Sequence, residues 1–545
     1  MNADRLLDAF NRLGDEPDTV QQFRKLVVGL AMSGKLVTPD EAALAPSDLL
    51  KQIEAKKRAL VQQGVLRKQN PLSAVSLEDL PKGFTNASSF VRLGEIARIE
   101  KGQTGIMKAE PGAYPLVVTA EERGTCDHFD FDGSAAIVPL VSSAGHGKAS
   151  LQRLHYQEGK FALGSILAAI FPHAPELISA RFLFEYLTSF KDELLVSQMI
   201  GTANVSLSVG KVSDVPVPLV PPLVQRKVDE LMGLCDRLEA ARAGREVVRD
   251  RLAAASLARL NAPDPETFEA DARFALAALP ALTTRPDQIK RLRQTILNLA
   301  VRGKLVPQDP NDEPASELLK RIAADKADRA ISARDRRATK IRPFAGDEVP
   351  FPVPSNWLWA AFGDITISRD GERIPVSREE REQRAKVYDY YGASGVIDKI
   401  DGFLFDKPLL LIGEDGANLI NRSTPIAFIA RGKYWVNNHA HVLDGLSEGF
   451  LRYVELFINA IDLKPYVTGT AQPKMNQAKM NSIPVALPPL AEQHRIVAKV
   501  DALMTLCDRL EASLTDTAAT RRRLLDALLA EALAPLDARE LEAAE

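Results

Sequence analysis

The motif Asn437-Asn438-His439-Ala440-His441 sets two imidazoles at alternate positions of a strand-like run, as two ligands of one metal ion would stand. No third ligand is evident beside them, so no metal centre is expected. Gly413-Glu414-Asp415-Gly416 follows another apolar run and offers two adjacent carboxylates, the raw material of a nuclease centre. No lysine follows at a useful spacing. The glycines favour a tight loop that presents polar groups to a ligand. Ser142–Ser150, SSAGHGKAS, is the comparable loop earlier in the chain, with His146 and Lys148 directly after an apolar run. Cys126-Asp127-His128 could join a thiolate to an imidazole. Adjacent side chains of a strand point to opposite faces, so no catalytic pair is expected there. Gly29–Lys35 has the spacing of half a phosphate-binding loop, but Leu36 stands where Ser or Thr must hold magnesium. A glycine-capped helix end is the expectation instead.

The remaining candidate, Cys-Asp-Arg, occurs twice. KVDELMGLCDRLEA (Lys227–Ala240) and KVDALMTLCDRLEA (Lys499–Ala512) agree at twelve of fourteen positions and lie 272 residues apart. Apolar residues recur at alternating spacings of three and four: Val228, Leu231, Cys235 and Leu238, then Val500, Leu503, Cys507 and Leu510. That is a heptad seam. It turns the cysteines into packing residues, with Asp and Arg on the flanks.

Other segments repeat in step. GLAMSGKLV (Gly29–Val37) matches NLAVRGKLV (Asn298–Val306), and PSDLLKQIEAK (Pro46–Lys56) matches ASELLKRIAADK (Ala315–Lys326), both 269 apart. RLGEIARI (Arg92–Ile99) matches AFGDITIS (Ala361–Ser368). GTANVSLSVGKVSDVPVPL (Gly201–Leu219) matches GTAQPKMNQAKMNSIPVAL (Gly469–Leu487), 268 apart. The first joint, PPLVQRKVD, is about five residues shorter than the second, PPLAEQHRIVAKVD. Between the matched ends, residues 100–200 and 370–468 share almost nothing. One frame written twice around two different inserts implies two equivalent positions with similar but non-identical tasks.

Short β-rich runs broken by Gly, Asp and Pro make each insert a compact α/β or mostly β domain. Each insert should end in an amphipathic helix, Ala180–Met199 and Gly449–Val467. Proline-rich joints then launch helices of about 40 residues, roughly 60 Å long. The expected division is a helical segment (1–80), a first variable domain (81–220), a central long helix (221–262), a second helical segment (263–345), a second variable domain (346–487) and a C-terminal long helix (488–545). The fold class is α+β: two α/β domains related by a pseudo-two-fold and separated by a pair of long antiparallel helices, a coiled coil. Basic residues precede each insert (Lys56, Lys57, Arg58, Arg67, Lys68; Arg329, Arg334, Arg336, Arg337, Lys340, Arg342), either as a solvated face or as phosphate contacts.

Composition bounds the class. The chain is 46% hydrophobic and 26% charged, with a net charge of −3. No apolar run is long enough to span a bilayer. The opening MNADRLLDAF lacks the basic-then-apolar order of a signal peptide, so a cytoplasmic location without a membrane partner is expected. Three cysteines are too few for a disulfide framework. The near-neutral charge gives no basic footprint, so any nucleic-acid surface must be a local patch.

The order of parts now resembles a known family. LPPLAEQHRIVAKVDALM (Leu487–Met504), GTAQPKMNQAKM, YYGASGVIDKIDGFLF (Tyr390–Phe405) and NNHAHVL resemble the DNA specificity subunit of type I restriction-modification systems. The resemblance implies that the inserts are target recognition domains, each reading one half of an asymmetric, bipartite double-stranded DNA site. It implies partners: two copies of the modification subunit, an adenine-N6 methyltransferase, and a translocating restriction nuclease subunit. It also implies that this chain binds no cofactor or metal and catalyses nothing, with S-adenosylmethionine, ATP and magnesium held by those partners.

Base-edge reading needs Asn, Gln, Arg, Lys and Ser on loops. In the first insert the expected contacts are Ser142, Ser143, His146, Lys148, Thr202 and Asn204. In the second they are Arg369, Arg373, Ser394, Glu414, Asp415, Thr470, Gln472, Lys474 and Asn476. A rod near 60 Å would set the half-sites between one and two turns of about 34 Å apart. Two other classes stay open: a single-chain modification or nuclease enzyme, for which no catalytic motif is found, and a coiled-coil scaffold that does not touch DNA.

Overall fold

The computed structural model describes residues 19–37, 44–84, 86–144, 148–202, 205–264, 266–329, 344, 349–469 and 472–533. The chain divides into two compact units, residues 1–246 with 518–545, and residues 247–517. Among the described residues, no helix is long and apolar enough to cross a membrane.

In the first unit two helices, Thr19–Met32 and Pro46–Gln62, precede the sheets. The first ends as the sequence predicts. Gly34 takes a φ of +69° and the Lys35 amide returns to the Leu30 carbonyl at 2.9 Å, a glycine-closed helix end. The β1 strand (Phe90–Arg92) pairs with β10 (Pro216–Pro218) and closes the variable part at its neck. Between them lie β2 (Ala97–Lys101), β3 (Tyr114–Val117), β4 (Gly124–Cys126), β5 (Phe131–Asp132), β6 (Ala135–Pro139), β7 (His155–Gln157), β8 (Lys160–Leu163) and β9 (Leu167–Pro172). They form two four-stranded sheets, ordered β2-β9-β6-β7 and β4-β3-β8-β5.

Alternation along the central strands explains the layers. Ala135 and Ile137 of β6, with Leu167, Ala169 and Phe171 of β9, share a core with Phe131 and Phe161 of the second sheet. Their neighbours Ala136, Val138, Ala168 and Ile170 face the other way, onto Phe182, Leu183 and Tyr186 of helix Ala180–Ser189.

The second unit repeats this order. Its helices are Pro286–Val301 and Ala315–Arg329, and its neck pairs β11 (Leu358–Ala361) with β20 (Pro484–Leu487). Its sheets contain β12 (Ile367–Ser368), β13 (Tyr388–Gly392), β14 (Gly395–Ile400), β15 (Phe405–Asp406), β16 (Leu409–Gly413), β17 (Ala427–Ala430), β18 (Lys433–Val436) and β19 (Ala440–Asp444). Their orders are β12-β19-β16-β17 and β14-β13-β18-β15. Strand for strand this is the first unit's arrangement, including one parallel pair in the second sheet, β3–β8 and β13–β18. The inserts that share almost no sequence thus share one topology. The covering helices are shorter than expected, Ala180–Ser189 and Glu448–Ala460.

The long helices are Pro222–Asn261 and Leu490–Leu533. Gln225 and Gln493 are 268 apart and each bonds a joint carbonyl, Val220 and Pro488, at 2.6 and 2.9 Å. Asp236 and Asp508 are 272 apart. The difference, 272 − 268, is four residues and not five, about one helical turn, so the same face returns to the unit beneath it.

The seam residues find neighbours within their own units. Val228, Leu231 and Met232 join the core that holds Val27, Val28 and Ala31. Val500 and Cys507, flanked by Leu503 and Leu510, join the core that holds Ile289 and Ile296. Cys235 is buried, but Leu238 is 38% exposed, contrary to the heptad reading.

Candidate nucleic-acid interface

In each unit the residues on either side of the Gly-Thr-Ala segment pair with each other as a small hairpin. Ile200 bridges Ser206 and Thr468 bridges Lys474, with Gly201 and Gly469 at φ of +136° and +83°, where a side chain would be strained. The hairpin then joins the loop that leaves the central strand of the first sheet. Val141 bridges Ser206 in the first unit and Asp415 bridges Lys474 in the second. Two loops singled out by composition and two by repetition therefore sit side by side, in the same combination, in both units.

The neck beneath each hairpin is built from matched residues. Ser208 and Asn476 cap the short helices Val209–Ser213 and Gln477–Asn481, accepting from the Lys211 and Lys479 amides at 3.2 and 2.9 Å. These helices press against Leu93–Ile96 and Phe362–Ile365. A Cβ on Gly94 would lie 3.1 Å from that of Ser213, and one on Gly363 would lie 2.8 Å from that of Asn481. Lysines from the preceding helices close the joint. Lys57 Nζ donates to Glu95 Oε2 at 2.7 Å, and Lys326 Nζ donates to the carbonyl of Asp364 at 3.1 Å and to that of Gly363. Burial lowers the Lys326 amine below its ordinary value. Lys57 was a candidate phosphate contact; its amine is turned into the neck. Arg334–Arg342 lie outside the described residues.

The expected DNA contacts separate into groups. In the first unit Ser142 Oγ donates to the Lys148 carbonyl at 2.6 Å and accepts the Ser150 amide at 3.1 Å, shaping its own loop. Ser143, Lys148 and Thr202 are exposed, while His146 and Asn204 lie outside the described residues. In the second unit Ser394, Gln472, Lys474 and Asn476 are exposed, and Thr470 lies outside the described residues.

Arg373 and Glu414 differ from the expectation of base-reading side chains. They pair at 2.9 Å with little exposure, and Arg373 also donates to the Ala440 carbonyl at 2.8 Å. Two opposite charges out of water satisfy each other first. Against the opposing effect of burial, Arg373, His441 and Lys474 hold the Glu414 carboxyl below its ordinary range. Arg369 is similarly engaged, with Glu372 at 2.6 Å and Asp444 at 3.1 Å.

The paired histidines do not converge. His439 precedes β19 and bonds Asp415 at 2.7 Å, whereas His441 is buried and bonds Asp370 at 2.6 Å and the Met475 carbonyl at 2.8 Å. Asp370 raises the His441 pKa despite burial. That interior hub was missed by sequence reasoning, because its partners lie 71 and 34 residues away.

Cys126 and His128 do approach, with Sγ 3.4 Å from Nδ1. They stand two residues apart, and alternation separates only adjacent side chains. Among the described residues, Cys126, Asp127 and His128 are the one group of three donors close enough to share an ion. Burial raises the Cys235 and Cys507 thiols, which removes them as nucleophiles at neutral pH.

The chain is similar to known proteins. The family described as the type I restriction modification DNA specificity domain matches residues 354–518. The EcoEI specificity subunit of a type I restriction enzyme of Escherichia coli is 28% identical, across 94% of this chain and 94% of its own length. The EcoAI specificity subunit of the same organism is 27% identical across 93% of each. The chain is similar to type I restriction enzyme specificity subunits. Its likeness runs from end to end, so both units fall within it. A solved HsdS subunit from Thermoanaerobacter tengcongensis is 15% identical, with a TM-score of 0.38, covering 83% of this chain and 97% of that one.

Proposed function

We propose that this chain is the non-catalytic DNA-reading subunit of a type I restriction-modification complex in the cytoplasm. Each recognition domain, one per unit, reads one half of an asymmetric bipartite site in double-stranded DNA. The observation that carries this is the repetition. Two units share a sheet topology, a neck and a Gly-Thr-Ala hairpin bridged to a polar loop, yet differ in the residues those loops display. Shared framing with divergent loops suits two readers of two different sequences.

In this reading the long helices run antiparallel as a coiled coil and relate the recognition domains by a pseudo-two-fold. Two copies of one docking surface then suit two copies of one partner, the adenine-N6 methyltransferase subunit. The nuclease subunit joins through those partners, which hold S-adenosylmethionine, ATP and magnesium. The chemistry on the flipped adenine belongs to the methyltransferase, and this chain supplies address and spacing.

Purified chain incubated with labelled S-adenosylmethionine and DNA should transfer no methyl group. Reconstitution with methyltransferase subunits should give sequence-specific DNA binding and methylation. Methylation by the chain alone, or a complex indifferent to DNA sequence, would overturn the proposal.

A further inference from the structure

His441 is 1% exposed and has both ring nitrogens engaged. Nε2 faces the Met475 carbonyl at 2.8 Å, an acceptor only, so Nε2 carries hydrogen. Nδ1 faces Asp370 Oδ2 at 2.6 Å, and the other Asp370 oxygen accepts the Val442 amide at 2.8 Å. A carboxylate that already accepts an amide wants a second donor, so Nδ1 carries hydrogen as well. The ring is an imidazolium.

Three segments meet on it. Asp370 belongs to the turn after β12. Glu414 leaves β16, lies 3.9 Å from Nδ1, and takes the Met475 amide on its carbonyl at 2.8 Å. Met475 closes the Gly-Thr-Ala hairpin. The other charges facing this group are Arg373, 3.6 Å from Asp370 and 2.9 Å from Glu414, and Lys474, 3.1 Å from Glu414. Loss of the imidazolium proton would turn the Nδ1 lone pair toward a carboxylate in a site with little water.

Among the described residues the first unit has no such group at the matching position. Arg98 pairs with Phe171 and Ile367 pairs with Asp444, which aligns His441 with Ala168.

We propose that His441 is a positioning residue of the second recognition domain, clamping the hairpin to the two loops beside it, so that reading of one half-site alone depends on a proton. This rests on the DNA-reading function proposed above.

The test uses the chain assembled with methyltransferase subunits and duplexes carrying single base changes in either half of its methylated motif. From about pH 6 to about pH 9, discrimination by the second domain should fall about tenfold as the clamp opens, while discrimination by the first stays level. His441→Gln and Asp370→Asn should start at the reduced level and show no such slope. A variant that keeps the wild-type slope, or an equal loss in both halves, would overturn the proposal. Hydrogen exchange at the Thr468, Lys474 and Met475 amides, corrected for intrinsic pH dependence, reads the clamp without DNA. Protection should fall with rising pH in the wild type and be low throughout in His441→Gln; unchanged protection would overturn the clamp. Failure of every duplex to be discriminated, with protection behaving as expected, would strike the DNA-reading function and leave the clamp standing.

Discussion

Arg293 Nη1 lies 2.8 Å from Asp508 Oδ1, and its Nη2 lies 2.9 Å from Glu511 Oε2. In the first unit Arg24 makes the same pair of contacts, with Asp236 and with Glu239 at 3.3 Å. The Cys-Asp-Arg motif is thus half of a latch, repeated once per unit, between a long helix and the helix that precedes the sheets. Arg24→Ala and Arg293→Ala should each cost about 1 kcal/mol, since the carboxylates are largely exposed and screened. Urea unfolding should return similar values for both. A large cost at one and none at the other would show that the two latches are not equivalent.

The neck glycines should differ in tolerance. An alanine at 363 meets the Asn481 Cβ at 2.8 Å, against a short helix with nowhere to retreat, whereas at 94 the first obstacle is the Leu72 methyl at 3.0 Å, the end of a flexible side chain. Gly363→Ala should cost about 1–3 kcal/mol and Gly94→Ala less. Asn481→Gly, but not Asn481→Ala, should relieve Gly363→Ala, and a double-mutant cycle in urea tests it.

Acid should act first on the first unit. His155 and His173 are buried with an unpartnered Nε2, and burial pushes both down to about 4. The unfolded chain takes up their protons near pH 6.5, so their contribution, roughly 3 kcal/mol each, is present above that value and lost as pH falls toward about 4. His441 has the opposite sign. Its pKa is raised, so its contribution is complete below about pH 6.5 and lost as pH climbs through the raised value. Limited proteolysis between about pH 6 and about pH 4.5 should cut within residues 90–215 before residues 358–487. The reverse order would contradict this assignment.

The duplicated frame was open to sequence reading because it is local: helix ends, the Gly-Thr-Ala hairpin, the proline joint and the Cys-Asp-Arg repeat each lie within some twenty residues. The shared sheet order was not. It depends on pairings such as Leu116 with Ala162, whose partners no short window contains. Residue types named Arg373 and Glu414 as base readers, but two long charged side chains within reach of each other pair in the interior before they meet DNA. Likewise Lys57 reads as surface charge until the neck carbonyl of Gly94 is placed against it.

If the two units read two half-sites independently, each half of the motif can be changed alone. The most direct test exchanges residues 90–215 for the matching segment of a relative and maps the methylated adenines in cells carrying the hybrid. The account predicts a bipartite motif with one half altered and the other half and spacing retained. A change in both halves, or in neither, would contradict it.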